Sequence, residues 1–313
     1  MPVKYLFSLC GFILLCSARL EAQQIVFMPN WLPQAEFAGY YAADSLGYYA
    51  AEGLDVRVQH PTVSETSFSF LEKGEAQIVL TNLSNALMAV ADGARIVNVM
   101  QTSQTNSLLL VSRFPLPGLA SLNHQKIAVW NRLPQELLDR LAQVSGLEVE
   151  WVRFNRGVNI FLSKAVDICL TYSFNEYVQL EECGLVLDSC HVFRLAEHGY
   201  NLPEDGVYVM EEYYNTHKEE IRKFVKASIR GWNWVERNQE KALDMVMGIV
   251  RRNNIATNRY HQCKMLKEII RLQYDIKTGE KTYKLSEDGF RLGMHYLMAG
   301  SVADSVKYQD FVK

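Results

Sequence analysis

The chain has 313 residues, 49% of them hydrophobic, and carries 32 Lys plus Arg against 35 Asp plus Glu, a formal charge of −3. That length accommodates two modest domains or one large one. Near-balanced charge without a polybasic tract gives nucleic-acid binding no support, and beyond residue 22 no apolar run is long enough to span a bilayer.

Lys4 precedes an apolar segment from Tyr5 to Cys16, followed by a short polar region ending at Ala22. This is the charge order and length of a secretory signal, too short for a transmembrane helix. Cleavage is expected after Ala22, although Leu20 is larger than the small residue usual three positions before a cut. A lipoprotein signal is the alternative, weakened by Leu9 before Cys10 and Leu15 before Cys16. Export would remove those two cysteines and leave Cys169, Cys183, Cys190 and Cys263. Cys183 and Cys190 can bridge across a turn and short strand or remain free thiols. Their spacing does not make a zinc site, and His191 beside Cys190 adds only a weak hint.

The stretch from Ile25 to Val58 reads as strand, short loop, helix, glycine-marked turn and second strand, an α/β layer. Pro33 suits a first helical turn, the helix runs from about Gln34 to Leu46, and Gly47 ends it. Phe37, Tyr40, Tyr41 and Asp44 share helical spacing, while Ala38, Gly39, Ala42 and Ala43 keep the remaining surface thin enough to approach a sheet. Trp31, in the loop before the helix, can face a cleft. Trp31, Phe37, Tyr40 and Tyr41 are therefore candidates for holding a flat polar molecule, with core packing as the competing reading of each.

The ordered run Trp31-x-Pro33-Gln34-A-E-F-A-G-Y-Y-A-A, then Gly47-Y-Y-x-x-Glu52-G-L-D-Val56, resembles the opening of a family of bacterial solute-binding proteins, the NMT1/THI5-like (SsuA/THI5-like) family. That family is related to the fungal thiamine-pyrimidine synthases and includes receptors for pyrimidine precursors of thiamine. The resemblance implies a two-lobed α/β periplasmic-binding-protein fold, with a hinge and a ligand cleft between the lobes.

Further along, Ser64 and Thr66 either meet a ligand or cap a short helix at Ser67–Glu72. Glu75–Thr81 is the next predicted strand. Asn82 and Ser84 follow it, where an open α/β sheet exposes its ligand-facing edge, and are candidate ligand contacts or caps. Strands are expected at Ala94–Gln101 and Leu108–Ser112, with a polar loop between them, and Pro115 to Gly118 marks a boundary. The resemblance implies that the chain crosses into the second lobe near residue 112 and returns near residue 205. Lobe 1 is thus expected at 23–112 plus 209–313, and lobe 2 at 113–208.

In the second lobe, Lys126–Trp130 and Glu148–Arg153 read as strands. A helix running to about Ser145, with Pro134 in its first turn, and a short helix at Arg156–Lys164 follow them. Trp130, at a strand end, either projects into the cleft or packs in the core. Val166 to Tyr177 begins as a strand and ends as a helix that Ser173 can cap. This segment resembles the family's tyrosine, asparagine and glutamate motif, written here as Tyr172, Asn175 and Glu176 with two residues inserted, which implies ligand contacts at those positions. Asn175 can donate and accept, and ionised Glu176 can accept from an amine or protonated ring, or else pair with a lysine or stabilise the helix start. The return crossing places Asp205, favoured slightly over Glu204, against the ligand or hinge, with Gly206 compatible with a hinge. From Glu211 the sequence is largely helical, Trp232 and Trp234 read as packing anchors, and Ser286 can cap the helix through Met298.

The resemblance implies an exported substrate-binding component of an ABC importer for a thiamine-precursor pyrimidine or related small nitrogen heterocycle. It would act as a periplasmic monomer, with an inner-membrane permease and its ATPase as partners and no cofactor. Carboxylates and amides suit an aminopyrimidine better than a sulfonate, although Arg113, Arg132 or Arg156 can approach from loops. A sensing protein of the same fold is one alternative. A pyrimidine-biosynthesis enzyme is the other, and it lacks support here: the clustered cysteines of that branch are absent, and no nucleophile–base pair or metal spacing replaces them.

Overall fold

The computed structural model describes residues 24–133, 135–155, 157–297 and 306–313. The expected signal segment, Pro134, Arg156 and the expected helix end at Met298 lie outside the described residues.

In chain order the first sheet takes β1 (Ile25–Met28), β2 (Val56–Val58), β3 (Ile78–Thr81) and β4 (Ile96–Gln101). Among them lie α1 (Ala38–Ser45), preceded by one 3-10 turn at Ala35–Phe37, then α2 (Tyr48–Ala51), α3 (Ser67–Glu72) and α4 (Leu83–Ala91). The second sheet takes β5 (Leu108–Ser112), β6 (Lys126–Trp130), β7 (Glu150–Phe154), β8 (Ile168–Tyr172) and β9 (Val192–Arg194), with α5 (Gln135–Val144), α6 (Asn159–Leu162) and α7 (Glu176–Glu182). The chain then returns to the first sheet as β10 (Gly206–Met210) and continues through α8 (Glu211–Thr216), α9 (Lys218–Arg237), α10 (Gln239–Arg252), α11 (Arg259–Leu272), α12 (Glu287–Leu297) and α13 (Tyr308–Phe311).

Both sheets have five strands, ordered β2-β1-β3-β10-β4 and β7-β6-β8-β5-β9. In each, three parallel strands on one side meet an antiparallel strand that has just arrived from the other lobe: β10 pairs antiparallel with β3 and β4, and β5 with β8 and β9. This pairing moves the expected boundaries. Leu108–Ser112, assigned from sequence to lobe 1, is hydrogen-bonded inside the second sheet, and Gly206–Tyr208, assigned to lobe 2, lies inside the first. The crossings are therefore Thr102–Ser107 and Gly199–Asp205. An apolar strand looks the same in either sheet, so composition could not say which neighbours would pair with it.

Each sheet is buried on both faces. One face of the first packs Phe27, Ile78 and Val97 against α1 and the outer helices α9 to α11; the other packs Met28, Val79 and Tyr208 against α4, α12 and α13. Trp232 is fully buried, as expected of a packing anchor. The α1–α9 contact is tight because glycines face each other there: a Cβ on Gly231 would lie 2.1 Å from the Gly39 carbonyl oxygen.

The two crossings are bound to each other by buried polar groups. Ser107 donates from its backbone N–H and its hydroxyl to Glu204, at 2.9 Å each, and the Asn106 N–H donates to Asn201 at 2.6 Å. The Ser103 hydroxyl donates to Asp205 at 3.1 Å, and the Thr102 N–H donates to the Asp205 carbonyl at 3.1 Å. Asp205 itself adopts a left-handed φ of 51°. The unusual backbone angle thus sits one residue before Gly206, the residue whose freedom suggested it.

Candidate functional site

A cavity of about 550 Å³ separates the lobes. Its walls come from the C-terminal ends of parallel strands and the loops that follow them, the place where open α/β sheets expose backbone and polar side chains to a ligand. Lobe 1 supplies Asn30, Trp31, Gln34 and Glu36 after β1, Thr66 at the start of α3, and Asn82 after β3. Lobe 2 supplies Trp130 at the end of β6 and Arg132 after it, and Tyr172 at the end of β8 with Phe174, Asn175 and Glu176 after it; Glu204 comes from the second crossing.

Of the residues singled out from sequence, Trp31, Asn82, Trp130, Tyr172, Asn175 and Glu176 therefore line this cavity. Asn82 stands at the N-cap of α4 without a side-chain capping bond, whereas Thr66 does cap α3, accepting from the Ser69 N–H at 3.2 Å. Ser173 does not cap α7; the N-cap position is Asn175.

Five candidates lie elsewhere. Phe37 and Tyr40 are fully buried in lobe 1, where the Tyr40 ring packs on Phe27 and Trp232 and its hydroxyl meets that of Thr102 at 2.7 Å. Tyr41 is buried with its hydroxyl 2.8 Å from His60 Nε2. Ser84 is buried beside a small, mainly apolar cavity behind the main one. Asp205 is buried in the crossing. Helical spacing did not reveal where these rings would go: Phe37 and Tyr41 pack with His60 and Tyr40 with Phe27 and Trp232, Asp44 is exposed, and the small residues Gly39 and Ala43, expected to approach a sheet, meet α9 instead.

Tyr41 still bears on the cavity through His60. The His60 Nδ1 lies 2.6 Å from the Trp31 carbonyl oxygen, which can only accept, so Nδ1 carries the proton and Nε2 accepts from Tyr41. Burial lowers the His60 pKa to about 4, keeping the ring neutral and suited to both bonds. The pair fixes the loop that presents Trp31.

Glu36, Glu176 and Glu204 all line the cavity and are almost fully buried. Glu176 accepts from the Tyr172 N–H at 3.1 Å and the Asn175 amide at 3.1 Å. Burial raises its pKa to about 7. Burial, with the adjacent Asp205 charge, raises Glu204 to about 8. Glu36 is raised well above the carboxylate range by burial and then by Asp205, which burial lifts to about 6. Asp205 Oδ1 has no N–H or O–H donor, and the Asp205 and Glu36 side chains lie within bonding reach, so these two carboxyls can bond only by sharing a proton.

Sequence reasoning missed Asn30, Gln34, Glu36 and Phe174, named Arg132 only as one of three arginines that can approach from loops, and placed Glu204 second to Asp205. Gln34 and Glu36 sat inside the most specific run, where a polar residue destined for burial was the available signal.

Among the described residues, Arg132 is the one basic side chain of the cavity wall. It is already engaged: its guanidinium stacks 4.7 Å from the Trp31 ring and donates to the Val63 and Glu65 carbonyls of lobe 1. The remaining wall offers carboxyls, amides and aromatic faces, which suits a flat molecule with N–H groups and disfavours a strongly anionic one. Among the described residues no group of three or more His, Cys, Asp or Glu is placed to hold a metal ion, and Cys169, Cys183, Cys190 and Cys263 are all free thiols.

A family model described as NMT1/THI5 like matches residues 34–242. The riboflavin-binding protein RibY of Chloroflexus aurantiacus is 27% identical over 246 residues, covering 75% of this chain and 68% of the relative. The formylaminopyrimidine-binding protein of Halalkalibacterium halodurans is 23% identical over 235 residues, covering 72% and 70%. Among solved structures, the periplasmic aliphatic sulphonate binding protein SsuA of Escherichia coli matches with a TM-score of 0.63 at 14% identity, over 90% of this chain and 91% of that one, a likeness of fold. With the family match spanning most of the chain, this protein belongs to the NMT1/THI5-like family, and it has a two-lobed fold with a cleft between the lobes.

Proposed function

We propose that the protein is the extracytoplasmic solute-binding component of an ABC importer, and that its cleft takes a thiamine-precursor pyrimidine or a closely related nitrogen heterocycle. The observation that carries this reading is the meeting of Glu36, Glu176 and Glu204 with Trp31 and Trp130 around one cavity. Aromatic faces select a flat ring, and carboxyls and amides read amino and ring N–H groups on its edge. Hinge closure would favour a ligand that engages both walls together.

A flavin-like ring is the second reading. A cavity of about 550 Å³ exceeds what a single pyrimidine fills, and one relative bears the name of a riboflavin-binding protein. Either ring would be bound unchanged.

Calorimetry on protein stripped of carried ligand by partial unfolding and refolding tests both. The panel is hydroxymethyl- and formylamino-pyrimidines, thiamine, riboflavin, an alkanesulfonate and nitrate. Selective pyrimidine binding is expected; selective riboflavin binding would establish the second reading, and binding of the anions alone would overturn both.

A further inference from the structure

His261 lies on α11, which packs with the lobe 1 core, yet both of its ring nitrogens bond to lobe 2. Nδ1 is 2.9 Å from Glu182 Oε2, and Nε2 is 3.1 Å from Asn175 Oδ1. The two acceptors stand at opposite ends of α7, and the imidazole is buried between them. The Asn175 amide cannot be reversed without loss, because its Nδ2 donates to Glu176 Oε1 at 3.1 Å while its Oδ1 also accepts from Gln179 at 3.1 Å. Both ring nitrogens therefore face acceptors. At the far end, Glu182 Oε1 accepts from the Asn258 amide at 2.7 Å, and Asn258 caps α11 by accepting from the His261 N–H at 2.8 Å.

A continuous hydrogen-bonded chain thus runs from Glu182 through His261 and Asn175 to Glu176, on the cavity wall. It enters lobe 1 only at the imidazole, crossing the lobe boundary on either side of the ring. The other bonds between these helices sit nearer solvent, as with Lys264 and Glu181 at 3.2 Å, and pairs of that kind contribute little.

We infer that His261 is a positioning residue that joins the two lobes and, in the same contact, orients the Asn175–Glu176 pair toward the ligand, so that closure and the shape of the binding wall are set together. The inference takes its ligand from the function proposed above, but the contact between lobes does not depend on which ligand binds.

The test is small-angle X-ray scattering on the purified protein without added ligand, together with calorimetric affinity for hydroxymethylpyrimidine, in the wild type and in His261→Phe, His261→Gln and Lys264→Ala. His261→Phe is expected to keep its circular dichroism spectrum, to show a larger radius of gyration and to bind the probe about tenfold more weakly. His261→Gln, which retains an amide donor, is expected to recover part of both changes, and Lys264→Ala to match the wild type. Adding Glu182→Gln to His261→Phe should cost little further affinity, since the two act through one contact. A folded His261→Phe whose radius of gyration equals that of the wild type overturns the inference. Should His261→Phe not fold, the same comparison on His261→Gln decides the matter. If the wild type does not bind the probe, the function proposed above fails, while the scattering comparison still decides the role of His261.

Discussion

Trp31 of lobe 1 and Trp130 of lobe 2 meet edge to face across the mouth of the cleft, their ring centroids 5.6 Å apart and their planes at 81°. Neither ring is fully buried, so each keeps a surface for a ligand while holding the other in place. Aromatic pairs of this kind contribute about 0.5–1.5 kcal/mol beyond the area they cover.

Trp130→Ala is therefore expected to weaken heterocycle binding about tenfold and, because the ring also packs on Phe154 and the lobe 2 core, to lower the urea midpoint. Isothermal titration beside a denaturation curve checks both. Unchanged affinity would remove Trp130 from the site.

Arg132 closes the same mouth by stacking on Trp31 and bonding the Val63 and Glu65 carbonyls. Arg132→Met keeps much of the side-chain bulk and loses the charge and the donors. Ligand dissociation is expected to quicken about tenfold, with a smaller effect on association. Stopped-flow fluorescence of the cleft tryptophans measures both rates, and an unaltered dissociation rate would show that the clasp does not restrain the ligand.

Gly39 and Gly231 allow α1 and α9 to touch. A Cβ on Gly39 would fall 2.2 Å from the buried Trp232 ring, and one on Gly231 would strike the Gly39 carbonyl. Gly39→Ala is expected to destabilise the protein by about 3 kcal/mol, since overpacking here cannot be relieved by a flexible chain end. The check is the urea midpoint, and a wild-type value would mean that the helices can separate cheaply.

The buried carboxyls set a direction for the pH dependence of stability. Glu204, Glu176 and Asp205 have folded-state pKa values raised to about 8, about 7 and about 6. The folded chain thus binds more protons than the unfolded chain, and the stabilisation is complete below the ordinary carboxyl range and lost as pH rises through these values. The urea midpoint of the ligand-free protein should fall between about pH 5 and about pH 8, and Glu204→Gln should flatten that fall. A midpoint that rises over this range in the wild type would contradict the raised values.

Much of the fold was legible because local patterns are short-range. The run from Ile25 to Val58 gave its strands, helix and turn through Gly47 and apolar spacing, although Pro33 lies just before the N-cap Gln34 and not in the first helical turn. The thiols of Cys183 and Cys190, which the sequence allowed to be bridged or free, are free. Part of the cavity lining was legible for the same reason: Trp31, Asn82 and Glu176 follow strands and Trp130 ends one, where polar and aromatic residues stand out. Tyr40 and Tyr41 were misleading. Their hydroxyls imitate ligand contacts, yet Thr102 and His60, distant in sequence, take those bonds.

The sequence by itself determined the order of strands and helices, the family and the set of residues that could face a cleft, since these follow from periodicity, turn residues and motif. Only the tertiary structure decided which sheet received Leu108–Ser112, which aromatics turned into the core, and that Glu36, Glu176, Glu204 and Asp205 would be buried near one another. Strand pairing and burial depend on partners up to a hundred or more residues away, and the shifted carboxyl pKa values arise only once water is excluded from groups that the linear chain holds apart.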